Sequence, residues 1–258
     1  MVVSLKKKLE KQELALGGWV MTGHPASAEI MARSGLDWVC IDLEHTAIDL
    51  GITENLIRAI EVGGAAALVR LTNNDENLIK RVMDSGASGI IVPMVKSRED
   101  AQNAVDALYY PPRGRRGVGL ARAQKYGAGA GFRNYRDWLE NEAVCVVQIE
   151  HIDAVDNLED ILSVSGVDAY FLGPYDLSAS MGLAGQLDHP DVLAAMTRTC
   201  EIGKQMNKPS GLHIVEPDKA KLKDSIEQGF TFVAWSIDTR MIDTVCRSGI
   251  AIVKGIKS

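Results

Sequence analysis

Apolar residues are gathered into short runs at nearly regular intervals along the chain: "GGWVMTG", "DWVCIDLEH", "AALVRLT", "GIIVPMV", "AVCVVQIE", "VDAYFLGP", "SGLHI" and "FTFVAWSID". Each run is rich in β-branched and aromatic residues and is bounded by Gly, Pro or an acid, so each predicts a strand. The runs are continuous rather than alternating, which is the pattern of a parallel sheet buried on both faces. Segments of helical period lie between them. Val192, Ala195, Met196, Thr199 and Cys200 recur at i, i+3, i+4, i+7 and i+8, and Leu78, Ile79, Val82 and Met83 follow the helix-starting Asp75. Gly35, Gly64, Gly86, Gly166 and Gly229 fall where such helices end. Eight strand–helix units in one chain of this length predict a single (β/α)₈ TIM barrel spanning residues 1–258, with no linker to a second domain.

Residues 112–142 depart from the rhythm. This Gly- and Arg-rich stretch is far longer than an ordinary connection between a helix and a strand, and it is expected to be a long functional or interface loop. Its "GVG" neither follows a strand nor opens a helix, so it is no nucleotide fingerprint. Arg115, Arg116 and Arg122 are many cations for an idle connection. The expectation is that the loop packs at a subunit interface and that Arg122 meets an anionic acceptor group in a neighbour's site.

Composition narrows the function classes. At 258 residues the chain can bury roughly 70–75% of its unfolded surface, enough for a large core. A net charge of −6 with a pI near 5.4 leaves no basic footprint for nucleic acid, and Lys6, Lys7 and Lys8 are expected on the solvated face of a first helix capped by Ser4. No apolar stretch approaches the roughly 20 residues of a membrane span, and the N-terminus shows no signal-peptide apolar region, so a cytoplasmic protein is expected. Cys40, Cys145, Cys200 and Cys246 are scattered and suggest neither a disulfide framework nor a cysteine metal site.

Three strands end in acids, and in a barrel the C-terminal ends of all strands open on one face. Glu150 after the fifth strand and Asp176 after the sixth would enter one polar mouth. Two close carboxylates repel unless a cation lies between them, and a hard divalent ion held by one or two carboxylates plus water is a common solution. The alternative is that either acid caps the helix that follows. Arg70 ends the third strand among alanines and other apolar residues, where a guanidinium needs an anionic partner. His45 follows Asp42 and Glu44 at the end of the second strand, placed to act as a general base oriented by a carboxylate, or to be structural. His151 and His213 are further candidates, whereas His24 and His189 each precede Pro near a helix start and read as structural.

The strings "WVCIDLEH", "GASGIIVPMV", "YYPPRGRRGVGLARA", "VVQIE" and "GPYDLSASMG…HP" resemble the HpcH/HpaI family of class II pyruvate aldolases, which includes 4-hydroxy-2-oxoheptanedioate and 2-keto-3-deoxy-sugar-acid aldolases, and the likeness runs over nearly the whole chain. The resemblance implies a metal-dependent, reversible cleavage of a 4-hydroxy-2-oxo acid to pyruvate and an aldehyde through a metal-stabilised enolate. It makes Glu150 and Asp176 the ligands of Mg²⁺, Mn²⁺ or Co²⁺, gives Arg70 the pyruvate oxygen, has Gln148 assist binding, and makes His45 with Asp42 the proton-transfer unit. Asp84 resembles an acid that supports this unit from a subunit interface, and Gly173, Tyr175 and Leu212 stand at the substrate. A trimer or hexamer is implied as well. The chain departs from the family pattern at Tyr175, in "HTAIDL", and in "VAWSID", where a Gly-containing turn is usual; these differences bear on the substrate. A Schiff-base aldolase would need a strand-end lysine, and the only candidate, Lys96, precedes a helix start. A related lyase acting on a CoA thioester or a dicarboxylate, or a non-catalytic pyruvate or oxalate binder, would use the same metal site.

Overall fold

The computed structural model describes residues 4–257, with side chains described through residue 255. Eight parallel strands form a closed barrel in chain order: β1 Ala15–Val20, β2 Trp38–Asp42, β3 Ala66–Arg70, β4 Gly89–Val92, β5 Val144–Ile149, β6 Ala169–Leu172, β7 Ser210–Ile214 and β8 Phe232–Ile237. Closure runs from β8 back to β1, where Ala15 pairs with Phe232 and the register shifts between Gly17 and Trp19. This is the (β/α)₈ architecture that the alternating pattern predicts.

Each strand serves two cores, which explains the unbroken apolar runs. One set of alternate residues, including Val39, Ile41, Val69, Val92, Val147 and Leu172, packs outward against the helices. The other set fills the barrel interior with Trp19, Trp38, Phe171 and Phe232. Trp38 stacks on Phe232 with ring centroids 4.4 Å apart, and Phe171 meets Phe232 edge-on at 5.6 Å. Space for these rings comes from glycine: a Cβ at Gly17 would lie 2.0 Å from the Trp38 indole, and one at Gly211 would lie 2.4 Å from Phe171. Strand parity therefore decides what enters the mouth. Asp42, Arg70, Gln148, His213 and Ser236 continue the inward-facing sets of their strands.

The helix Leu5–Glu10 plugs the opposite end of the barrel with Leu5 and Leu9. Ser4 caps it, as expected, by accepting a hydrogen bond from the Lys7 N–H. The solvated lysine face does not hold throughout. Lys6 is only 7% exposed; its ammonium lies 3.1 Å from Asp168 and donates to the Ala143 carbonyl at 2.8 Å. A long alkyl stem lets a lysine cross an apolar seam and place its charge on a buried acid.

The segment 112–142 is not one irregular loop. Its second half is the helix Gly131–Glu142, with Tyr135 and Leu139 buried and Phe132 and Trp138 packed against the outer core. This apolar spacing was the helical signal inside an otherwise polar stretch. The first half is pinned by its arginines: Arg115 pairs with Glu76 at 3.0 Å, and the buried Arg116 pairs with Asp84 and donates to the Tyr135 hydroxyl at 2.9 Å. The final helix, Asp238–Lys257, leaves Ile242, Val245, Ile250, Ile252 and Val253 exposed.

Candidate active site at the barrel mouth

Asp42 and Arg70 are direct neighbours in the parallel register of β2 and β3. The fully buried Asp42 carboxylate accepts from Arg70 Nε at 3.0 Å and from Nη2 at 2.6 Å, a two-point pairing that fixes the guanidinium plane. Burial by itself would lower the Arg70 pKa; the Asp42 hydrogen bonds and charge overcome it and hold the guanidinium above its ordinary value. The third nitrogen, Nη1, lies 3.1 Å from Glu44 Oε2. Burial raises the Glu44 pKa against the opposing charges of Arg70 and His45, with Asp42 and Asp176 raising it further. The sequence marks Glu44 as one of the strand-end acids but assigns it no role. Its place next to both Arg70 and His45 makes it part of the site.

His45 and Asp42 do not form the expected pair. Asp42 Oδ1 accepts the backbone N–H groups of Glu44 at 3.0 Å and His45 at 3.3 Å, so it shapes the turn, while its charge is committed to Arg70. The His45 imidazole is 60% exposed, with Nε2 3.7 Å from Glu44 Oε2. The carboxylate beside the His45 ring is therefore that of Glu44.

On the other side of the mouth, Glu150 is 3% exposed. Its Oε1 accepts the Met94 N–H at 2.7 Å and its Oε2 accepts from Gln148 Nε2 at 2.8 Å. Met94 supplies that N–H from a left-handed backbone conformation at φ 53°, a contribution for which the sequence carried no signal. Burial pushes the Glu150 carboxyl up to about 7, and the charges of Glu44 and Asp176 add to the rise. Gly173 keeps room beside it, since a Cβ there would lie 2.7 Å from Glu150 Oε2. Asp176 is exposed in the first turn of the short helix Pro174–Ser180. The Gln148 Oε1 atom is buried and has no hydrogen-bond partner.

These features suit a hard divalent cation: an all-oxygen donor set, two carboxylates that repel, no cationic side chain bonded to Glu150, and an orphaned amide oxygen beside it. Among the described residues, no three His, Cys, Asp or Glu side chains form a ready-made cage. Water and substrate oxygens would supply the remaining positions, which is the usual habit of Mg²⁺.

Tyr175 is exposed and Leu212 half-buried, on the helix after β6 and on β7 respectively. Asp84 and Arg122 lie elsewhere. Asp84 ends the helix Glu76–Asp84, five residues before β4 begins and hence at the far end of the barrel, where it holds Arg116 and Gln124. Arg122 is paired with Glu61 and donates to the Ser85 carbonyl at 2.9 Å. Neither can reach the mouth of its own chain. His24, His151 and His189 cap helices, each accepting a backbone N–H through Nδ1, so His151 joins the structural histidines.

A model of the HpcH/HpaI aldolase/citrate lyase family matches residues 16–243. The chain is 36% identical over 248 residues to a 2-dehydro-3,6-dideoxy-6-sulfogluconate aldolase of Pseudomonas putida, covering 96% of this chain and 95% of the relative. It is 38% identical to a hydroxypyruvate/pyruvate aldolase of Sagittula stellata over 93% of both chains. A crystal structure of an HpcH/HpaI aldolase/citrate lyase family protein from Burkholderia cenocepacia superposes with a TM-score of 0.91 at 33% identity, covering 97% of this chain and 99% of that one. With its closed parallel barrel and its match through all eight strands, the chain belongs to the HpcH/HpaI aldolase/citrate lyase family.

Proposed function

We propose that this protein is a carbon–carbon lyase, a class II aldolase that reversibly cleaves a 4-hydroxy-2-oxo acid to pyruvate and an aldehyde. One observation carries the reading: a guanidinium locked by two acids faces a buried, unneutralised carboxylate across the barrel mouth. Cleavage requires removal of the proton from the C4 hydroxyl, breakage of the C3–C4 bond, and flow of its electron pair to the keto oxygen. His45 takes the hydroxyl proton, with Glu44 beside it to stabilise the imidazolium. Arg70, held in plane by Asp42, meets the negative charge that gathers on the keto oxygen. Gln148 donates to Glu150 and orients it together with the keto acid, and Gly173 and Tyr175 border the substrate, whereas Leu212 lies on the outward face of β7 against the helices. Glu150 and Asp176 would hold a divalent ion, Mg²⁺, Mn²⁺ or Co²⁺, which supplies Lewis acidity to the substrate oxygens.

We further place the enzyme in the cytoplasm as a homo-oligomer, a trimer or hexamer. Its cysteines are free, and no helix among the described residues is long and apolar enough to cross a membrane. The exposed apolar residues of the last helix suit burial against another subunit. Asp84 and Arg122, remote from their own mouth, could serve a site only across such an interface. The test is pyruvate release from a panel of 4-hydroxy-2-oxo acids with and without a chelator. Chelator-sensitive turnover supports the reading, and turnover of none of the panel in the presence of metal refutes it.

A further inference from the structure

Asp238 is a buried acid at the mouth end of β8 that the proton-transfer scheme does not use; it is 4% exposed. Its described partners are all neutral donors. Oδ1 accepts the N–H groups of Met21 at 3.0 Å and Thr239 at 2.8 Å, and Oδ2 accepts the Thr22 N–H at 3.2 Å and the Thr22 hydroxyl at 2.6 Å. A helix cap spends its bonds on its own first turn. Three of these four cross instead to the residues that leave β1. The place is the closing seam of the barrel. There the register advances from Gly17 opposite Ala234 to Trp19 opposite Ile237, one residue more on β8 than on β1. The extra residue makes a bulge, and Ser236 within it takes φ 58°. A bulge interrupts the ladder, so side chains hold the seam: the Ser236 hydroxyl donates to the Val215 carbonyl at 2.8 Å, and Asp238 fastens Met21 and Thr22 just beyond the last paired residues.

Trp19, the last β1 residue before the segment that Asp238 holds to be buried in the interior, touches both the core and the mouth. Its indole meets Phe171 at 5.5 Å and stacks on His213 at 4.6 Å, and the Arg70 guanidinium lies 5.5 Å from its ring centroid. The Trp19 Nε1 atom is buried and has no hydrogen-bond partner, so the ring takes its place from the backbone of β1 and from its neighbours alone. We propose that Asp238 is a positioning residue: by fastening the end of β1 across the bulge it holds the Trp19 indole against the Arg70 guanidinium. Asp42 fixes the plane of that guanidinium through two hydrogen bonds, and the indole bounds it on a further side. Asp238 thereby sets where Arg70 meets the charge on the keto oxygen, which rests on the lyase reading above and deepens it.

The experiment is a double-mutant cycle on aldol cleavage by the metal-loaded enzyme, with kcat and KM measured separately well below the melting temperature. Asp238→Asn keeps the shape of the side chain and leaves it one accepting oxygen. Its kcat should fall roughly 10- to 100-fold with KM within about 2-fold of the parent, because Arg70 acts on charge that develops in the transition state. In an Arg70→Lys background the Asp238→Asn loss should shrink to about 3-fold or less, since both changes act through one guanidinium. Thr22→Val removes only the hydroxyl bond to Asp238 and should lose roughly 3- to 10-fold in kcat, with the same dependence on Arg70. A folded Asp238→Asn with the parent kcat overturns the proposal. So does a loss of equal size in both Arg70 backgrounds, which makes Asp238 a structural clamp. Should Asp238→Asn fail to fold, Thr22→Val is read by the same cycle, and the parent kcat there overturns the proposal. Failure of the lyase reading has a different signature: the unaltered enzyme cleaves no 4-hydroxy-2-oxo acid, which removes both claims together.

Discussion

Glu150→Gln should stabilise the metal-free protein while removing its activity. The Glu150 carboxyl is pushed up to about 7 from an ordinary 4.5, chiefly by burial. Between those pH values the folded protein keeps a proton that the unfolded chain has released, so stability falls as pH rises through the window, and the loss is complete above about 7. At about 1.36 kcal/mol per pH unit, the difference amounts to about 3 kcal/mol at pH 8 and roughly 1 kcal/mol or less at pH 5. Glutamine removes the charge and fits the same bonds. Its oxygen can take the Met94 N–H, and its amide can donate to Gln148 Oε1, now unpartnered, once the Gln148 amide turns over. For a domain of this size, thermal unfolding of the chelated variant at pH 8 should lie roughly 6–12 °C above that of the chelated parent, with most of the gap closed at pH 5. Added Mg²⁺ should raise the parent and leave the variant almost unmoved, because only an ion bound to the folded state stabilises it. A variant no more stable than its parent at pH 8, or a gap that does not change with pH, would show that burial of the Glu150 charge is not the source of the strain.

Other perturbations separate the roles of the mouth residues. His45→Ala should lose roughly 10²–10⁴-fold in kcat with its melting temperature unchanged, since the ring is largely exposed; a melting shift of several degrees would make it structural. Arg70→Lys cannot reproduce the two-point bond to Asp42 and should lower kcat/KM about 10²–10³-fold, measured by steady-state cleavage. Gly173→Ala forces a Cβ against Glu150 and should weaken Mg²⁺ binding about 10–100-fold by calorimetry while the circular dichroism spectrum stays intact. Arg116→Met removes one partner of a buried pair and should cost about 3–5 kcal/mol in denaturant unfolding, unlike Arg115→Met on the exposed side of the same segment.

Much of the fold was legible because a barrel uses each strand on both sides. Eight continuous apolar runs separated by helical period leave few other architectures, and acids closing those runs must gather at one rim. Which acid serves which base was not legible, because that depends on register across strands far apart in sequence. Asp42 lies next to Arg70 only through the β2–β3 pairing, and its charge went there instead of to His45. The same limit hid Lys6, whose partner Asp168 lies on the far side of the sequence, and Met94, whose value is a backbone N–H and no side chain. The helix Gly131–Glu142 was obscured by the glycines and arginines before it, although Phe132, Tyr135, Trp138 and Leu139 held its period.

Two strand-end acids and a locked arginine are proposed to create an enolising site for pyruvate. Exchange of the pyruvate methyl protons with deuterated solvent, followed by proton NMR, probes that chemistry without knowledge of the aldehyde. Such a site should give exchange that stops on chelation, returns with Mg²⁺ or Mn²⁺, and is lost in Glu150→Gln and Asp176→Asn. Exchange that persists at the parent rate in the chelated enzyme and in both variants would be incompatible with it.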